Sequence, residues 1–185
     1  MRKKYIILLR TLAMLSIIIG HLLSSSNISY IKSLGQFCYI GVILFFFISG
    51  FLYGTKKINR GFLVNRIKKV FLPALLFSVI ILFIYYFIGT INNKSLIKYL
   101  IIYGMNLQYF FDYLFGIGHL WFISIIMLCY NFTILLNKMT NKNLKTLVFA
   151  FIILTILSLF VSQIISQLLI YVLVYVCGYL YGRFE

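Results

Sequence analysis

Hydrophobic positions along this chain do not alternate with polar ones. They gather into long runs separated by short polar or basic stretches, and a helix of about 20 such residues is what a bilayer core about 30 Å thick requires. The first run extends from Tyr5 to Ser24 behind the basic tip Arg2-Lys3-Lys4. Its profile also suits a secretory signal peptide, but Arg10 interrupts it and further apolar runs follow at once, so an uncleaved span is expected. A polar loop, Ser24 to Ser33, precedes a second span near Gly35 to Gly54. A third covers Val70 to Gly89, with Pro73 in its first turn, where a missing N–H costs little. Three more are expected near His119 to Asn137, Thr146 to Ile164 and Gln167 to Arg183.

The segment Thr90 to Gly118 is ambiguous, being apolar at Leu100 to Tyr103 yet carrying Lys98, Asn106, Gln108 and Asp112. Charge decides its place. If it stays on the outer side, fourteen of the seventeen Lys and Arg residues fall on or near the cytoplasmic face and only Lys32, Lys94 and Lys98 lie outside. Making it a full span would move Lys138, Lys142 and Lys145 outside, against the positive-inside rule. The pattern therefore predicts an all-α membrane protein: six transmembrane helices in a multi-pass cell-membrane protein with both termini cytoplasmic. An interfacial or re-entrant helix around Ser95 to Phe111 lies between spans three and four. With no internal repeat or low-complexity linker, residues 1–185 are expected to form a single transmembrane domain.

Composition removes whole classes of function. The chain is 63% hydrophobic and 10% charged, with a mean hydropathy of +1.06, which rules out a water-soluble globule. Only Asp112 and Glu185 are acidic, so paired-carboxylate catalysis, carboxylate metal sites and acid-based proton relays are excluded. A net charge of +15 could suit nucleic acid, but the basic residues are scattered between apolar spans, so the lipid bilayer is the expected partner and nucleic acid is not. Cys38, Cys129 and Cys177 lie singly in apolar runs and suggest neither a disulfide framework nor a metal site. Proton chemistry falls to His21 and His119.

Arg10 and His21 stand eleven residues apart, a spacing that returns to nearly the same helical azimuth, about three turns along the axis. Each has a plainer explanation, Arg10 snorkelling to headgroups and His21 at an interface. Together they outline a polar seam, and intramembrane ionisable residues are functional candidates. Ser49 and Gly50 would let a neighbouring helix approach closely. Arg66 and Lys69, at i and i+3, belong to a basic stretch with Lys56, Lys57, Arg60 and Lys68 that either fixes orientation or clamps phosphate. His119 and Trp121 open the fourth span, where an aromatic belt accounts for the tryptophan.

Taken in order, these elements resemble acyltransferase family three. Arg10 to His21, in Gly20-His21, is similar to its R-x10-H signature, and Leu44 to Leu52 resembles its FFxxSGFL element. Arg66-x-x-Lys69 before Leu72-Pro73 resembles its RxxR…P loop, and His119-Leu120-Trp121-Phe122 its HLWF element. The resemblance extends over essentially the whole chain. It implies O-acyl transfer, commonly of acetyl from cytoplasmic acetyl-CoA, to a hydroxyl of a surface glycan, lipid-linked sugar or related acceptor in a bacterial envelope. On that basis His21 would be the catalytic base or acyl relay, Arg10 would orient the donor, and Arg66 and Lys69 would hold the coenzyme A phosphates. Ser49, His119 and Trp121 remain further candidates. Acyl-CoA would be a donor substrate, with neither a permanently bound cofactor nor a metal.

Three departures qualify the resemblance. Lys69 replaces an arginine, keeping charge but losing the planar fork. Phe122 to Ile126 carries no glutamate where many members have one. Members usually have more spans than six, so the chain is expected to be the N-terminal part of a full enzyme: a truncated reading frame, a piece of a longer chain, or one half of a split gene with a C-terminal partner half. The competing expectations are a non-enzymatic, transporter-like subunit of polysaccharide export and an inactive fragment.

Overall fold

The computed structural model describes residues 2–59, 61–107, 109–110 and 120–185. Arg60, Gln108, Asp112 and His119 lie outside the described residues, as does the end of the outer helix expected to reach Phe111. Among the described residues the regular structure is helical throughout: α1 (Arg2–Ser24), α2 (Ser29–Cys38), α3 (Ile40–Gly54), α4 (Phe62–Arg66), a π-helical turn (Ile67–Phe71), α5 (Leu72–Phe87), α6 (Asn93–Gly104), α7 (Trp121–Lys138), α8 (Asn141–Ser158) and α9 (Gln163–Phe184). Among the described residues five helical stretches are long and apolar enough to cross a membrane: Tyr5–Ser24, Ser29–Gly54, Phe62–Phe87, Trp121–Lys138 and Gln163–Phe184. The remaining expected span, the fifth near Thr146 to Ile164, corresponds to α8, whose apolar part, Asn143–Ser158, is shorter.

Boundaries differ from expectation where polar residues are helical. The stretch expected as a loop from Ser24 to Ser33 is mostly helix, because α2 begins at Ser29 and presents an amphipathic pattern rather than an apolar run. The third span starts at Phe62, so Pro73 sits inside a longer helical run. Proline cannot donate to the carbonyl four residues back. The chain accommodates it with a wide turn immediately before, in which the Leu72 N–H donates to the Ile67 carbonyl, five residues back. Helix α6, at twelve residues, rises about 18 Å and is too short to cross about 30 Å of hydrocarbon. Its start is fixed by Asn92, whose side chain accepts from the Ser95 N–H at 2.9 Å.

The chain divides into two compact units, Met1–Lys57 with Leu136–Glu185, and Ile58–Leu135. In the second, Leu82 of α5 packs with Ile91, Ile102 and Tyr103, flanked by Leu75, Tyr85 and Leu96. Gly89, at φ 80°, ends α5 in the left-handed conformation that glycine adopts without strain.

The first unit is built on glycine. Gly50 and Gly54 of α3 lie against the Tyr175 and Tyr179 carbonyls of α9, while Gly178 and Gly182 of α9 lie against the Phe47 and Phe51 carbonyls of α3. Any Cβ at these four positions would collide with backbone. Two small-xxx-small faces thus interlock, the arrangement by which helices associate when lipid offers no hydrophobic drive. Aromatic pairs flank the seam: Phe46 stacks on Tyr171 at 5.2 Å, and Tyr181 lies 6.3 Å from Phe47 and 5.8 Å from Phe51. Outward-facing side chains such as Leu12, Leu15, Ile18 and Leu22 of α1 are exposed and apolar, as a lipid-facing surface requires.

Near the end of α9, Arg183 donates through Nη1 to the Leu136 carbonyl at 2.9 Å and through Nη2 to the Met139 carbonyl at 3.0 Å. The guanidinium satisfies carbonyls at the C-terminal end of α7 and places positive charge at its negative pole. Arg183→Ala should lower stability by about 1.5–3 kcal/mol, the range for hydrogen bonds to charged groups. Thermal unfolding in detergent reads this as a lower midpoint, and Arg183→Lys should restore it only in part.

Candidate active site

The polar seam expected on α1 exists, and α2 and α3 cover it. Along this face come Arg10, Ala13, Ser16, Gly20 and His21. Ala13 and Gly20 are buried, and Arg10, Ser16 and His21 are half-buried. The Arg10 guanidinium lies over the Phe45 ring of α3, 5.0 Å from its centroid. A cation on an aromatic face is worth about 0.5–2 kcal/mol, more as water is excluded. This contact holds Arg10 on the bundle side of α1.

Small residues let the helices close around the histidine. A Cβ at Gly20 would stand 3.0 Å from Cys38 Cβ and 3.2 Å from the Gly35 carbonyl, and one at Gly35 would crowd Ser24. A Cβ at Gly41 would meet the Ala13 carbonyl at 2.7 Å. The glycine of the Gly20-His21 pair is therefore a packing requirement of the α1–α2 crossing. Between Gly35 and Gly41 the chain passes from α2 to α3 through Tyr39, and the Ser16 hydroxyl donates to the Cys38 carbonyl at 2.8 Å. This junction sets Tyr39 against His21. The Tyr39 hydroxyl and His21 Nδ1 are hydrogen-bonded at 3.3 Å, and the rings meet edge to face, 5.3 Å between centroids at 78°.

Ser49 is fully buried on α3. Four residues after Phe45, it shares the face that supports Arg10. Its Oγ has no hydrogen-bond partner among the described residues, an uncommon condition for a buried polar atom.

Of the basic stretch, Lys56 and Lys57 end the first segment of the same unit, while Arg66, Lys68 and Lys69 belong to the other unit. Arg66 is half-buried, with its guanidinium 5.5 Å from the Phe62 ring and 5.9 Å from the Tyr130 ring. These two rings meet edge to face at 5.9 Å. Lys69 is exposed and lies within the π-helical turn. The wider turn changes the azimuth per residue along the stretch that carries Lys69. Single π turns in long helices occur frequently at functional sites. Trp121 is half-buried, 5.6 Å from Tyr109.

The structure thus brings Arg10 and His21 onto one covered face and adds Tyr39, which the spacing of polar residues did not reveal. A histidine oriented through one ring nitrogen can exchange a proton through the other, and an arginine along the same face can take an anionic or carbonyl oxygen. A family model described as an acyltransferase domain, the family-three type, matches residues 3–185. No curated protein and no solved structure matches the chain.

Proposed function

Because the chain belongs to acyltransferase family three, a family of membrane acyltransferases, we propose that it moves an acetyl group from acetyl-CoA to a hydroxyl of a cell-surface glycan or lipid-linked sugar. The observation that carries this reading is the covered α1 face, where Arg10 and His21 share one azimuth and His21 is held through Nδ1. In the proposed reaction His21 Nε2 takes the proton of the acceptor hydroxyl as its oxygen bonds to the thioester carbonyl carbon. The carbon–sulfur bond breaks and the proton passes to the departing thiolate. Arg10 orients the donor.

Sorting the basic residues by loop supports a cytoplasmic N-terminus, which places His21 towards the outer end of α1 and Arg66 and Lys69 on the cytoplasmic side. The coenzyme A phosphates are bound there. Arg66, backed by two aromatic rings, offers the planar fork that suits phosphate, and exposed Lys69 adds a point charge. The chain carries only Asp112 and Glu185 as acids, so a histidine base fits the chemistry available.

The test is acetyl transfer in membranes carrying the chain, followed with isotopically labelled acetyl-CoA and by mass spectrometry of surface glycans with and without the gene. Loss of an acetyl increment without the gene supports the reading; an unchanged acetylation pattern and no transfer of label overturn it. Arg66→Ala should raise the KM for acetyl-CoA about tenfold or more, the worth of one charge-assisted hydrogen bond, with kcat nearly unchanged. A matched fall in kcat at constant KM would remove Arg66 from donor binding.

A further inference from the structure

We infer that Tyr39 is a positioning residue that holds His21 in the tautomer protonated on Nδ1. This rests on the proposed role of His21 as base and extends it to a residue outside the motifs discussed above. Three observations support it. The first is the hydrogen bond between the Tyr39 hydroxyl and His21 Nδ1 at 3.3 Å, reinforced by the edge-to-face ring contact at 5.3 Å. The second is the place of Tyr39 in the chain. It is the single residue between α2 and α3 and keeps a helical backbone, at φ −68° and ψ −11°, so its backbone is set by both helices rather than by a mobile loop. The third is the bracing of this junction on α1 by Ser16 to the Cys38 carbonyl at 2.8 Å and by the close approaches at Gly20 and Gly41. Ser16, Gly20 and His21 are on the same helix, so the clasp that fixes Tyr39 also fixes its distance to the imidazole.

The proposed role of His21 as base selects the direction of the bond. A neutral imidazole carries its proton on one nitrogen, and a second group often decides which. If Nδ1–H donates to the tyrosine oxygen, Nε2 keeps its lone pair and can accept the hydroxyl proton. The opposite tautomer would put the proton on Nε2 and leave no base there. In many hydrolases a carboxylate performs this orienting task. This chain has only Asp112 and Glu185, neither of them near His21 in sequence, and a phenol oxygen can accept the same bond without bringing a charge into the membrane. Tyr39 is not proposed to touch substrate; it acts through His21.

The deciding measurement is nitrogen NMR of the full chain in lipid nanodiscs, labelled with ¹⁵N-histidine. The His119→Gln background leaves His21 as the one labelled ring. The expected spectrum has Nδ1 protonated and Nε2 unprotonated. Tyr39→Phe, which keeps the ring contact but removes the hydroxyl, should convert it to a mixture of both tautomers. In the acetyl-transfer assay the same variant should lower kcat about tenfold, the factor one hydrogen bond supports, with the KM for acetyl-CoA unchanged.

A ring spectrum unaltered in Tyr39→Phe overturns the inference, and so does an altered ring with unaltered kcat. Failure of the underlying reading looks different. If His21→Ala retained acetyl transfer while the His21 ring still responded to Tyr39→Phe, the pairing would stand and the role of His21 as base would fall. If His21→Ala were inactive and the ring did not respond, the base would stand and Tyr39 would fall.

Discussion

Alanine at position 21 is expected to lower acyl transfer by about 10²–10⁴-fold, the range attributed to a positioned general base. The protein should still insert and run as a single species in detergent, because His21 is half-buried and the α1–α2 crossing depends on Gly20, Gly35 and Ser16 rather than on the imidazole. His21→Gln separates orientation from basicity: the amide can still bond the Tyr39 hydroxyl but cannot accept the proton. It should be as inactive as the alanine variant. Activity near wild type in His21→Gln would mean that the ring is needed for contact and not for proton transfer. Arg10→Ala should act differently, weakening donor use while leaving His21 paired to Tyr39, since Arg10 meets Phe45 of α3 and His21 meets Tyr39 at the α2–α3 junction.

The second large effect concerns folding. Gly178→Leu should abolish recovery of a monodisperse protein, because even the Cβ would be driven into the Phe47 carbonyl. Overpacking usually costs about 1–3 kcal/mol when neighbours can move; here the neighbour is helix backbone, and the cost should exceed that range. Gly50→Leu should fail likewise against Tyr175. Two controls bound the claim. Cys177→Leu, on an exposed position of the same helix, should be recovered normally. Gly104→Ala, where an added Cβ meets nothing within 4 Å, should leave stability unchanged or slightly raised, as alanine is the better helix former. The readout is the yield and elution profile in detergent for all four variants.

What the sequence made legible follows from the physics of the bilayer. Long apolar runs specify helices because nothing else satisfies backbone polar groups in lipid, so the helical class and five long spans could be read directly. The seam of Arg10 and His21 was legible for a similar reason: a helix repeats its azimuth at a fixed interval, and polar residues on an apolar helix are conspicuous. The features that escaped depend on tertiary partners. Ser49 and Gly50 suggested close packing, but Gly50 and Gly54 acquire their meaning only opposite Gly178 and Gly182, more than a hundred residues later in the sequence. The four-residue glycine spacing on both helices was the available signal. Tyr39 gave none, since one tyrosine among fifteen is indistinguishable from an interfacial aromatic until the chain turns there. The π turn was invisible because hydrophobic periodicity does not register one extra residue in a turn, although Pro73 marked the place where the hydrogen-bond ladder had to change.

The glycine seam also imposes an order on biogenesis. Gly54 leaves the ribosome long before Gly178 is made, and at about 5–20 residues per second the interval is on the order of ten seconds. During that time α3 sits in the bilayer with its narrowest face unmatched, and the groove can be filled by lipid tails or by a wrong helix. The contact is among the most distant in sequence that the chain makes, and distant contacts form slowly. The α1 to α3 segment that carries Arg10 and His21 is therefore synthesised first but buttressed last, when α9 packs against α3.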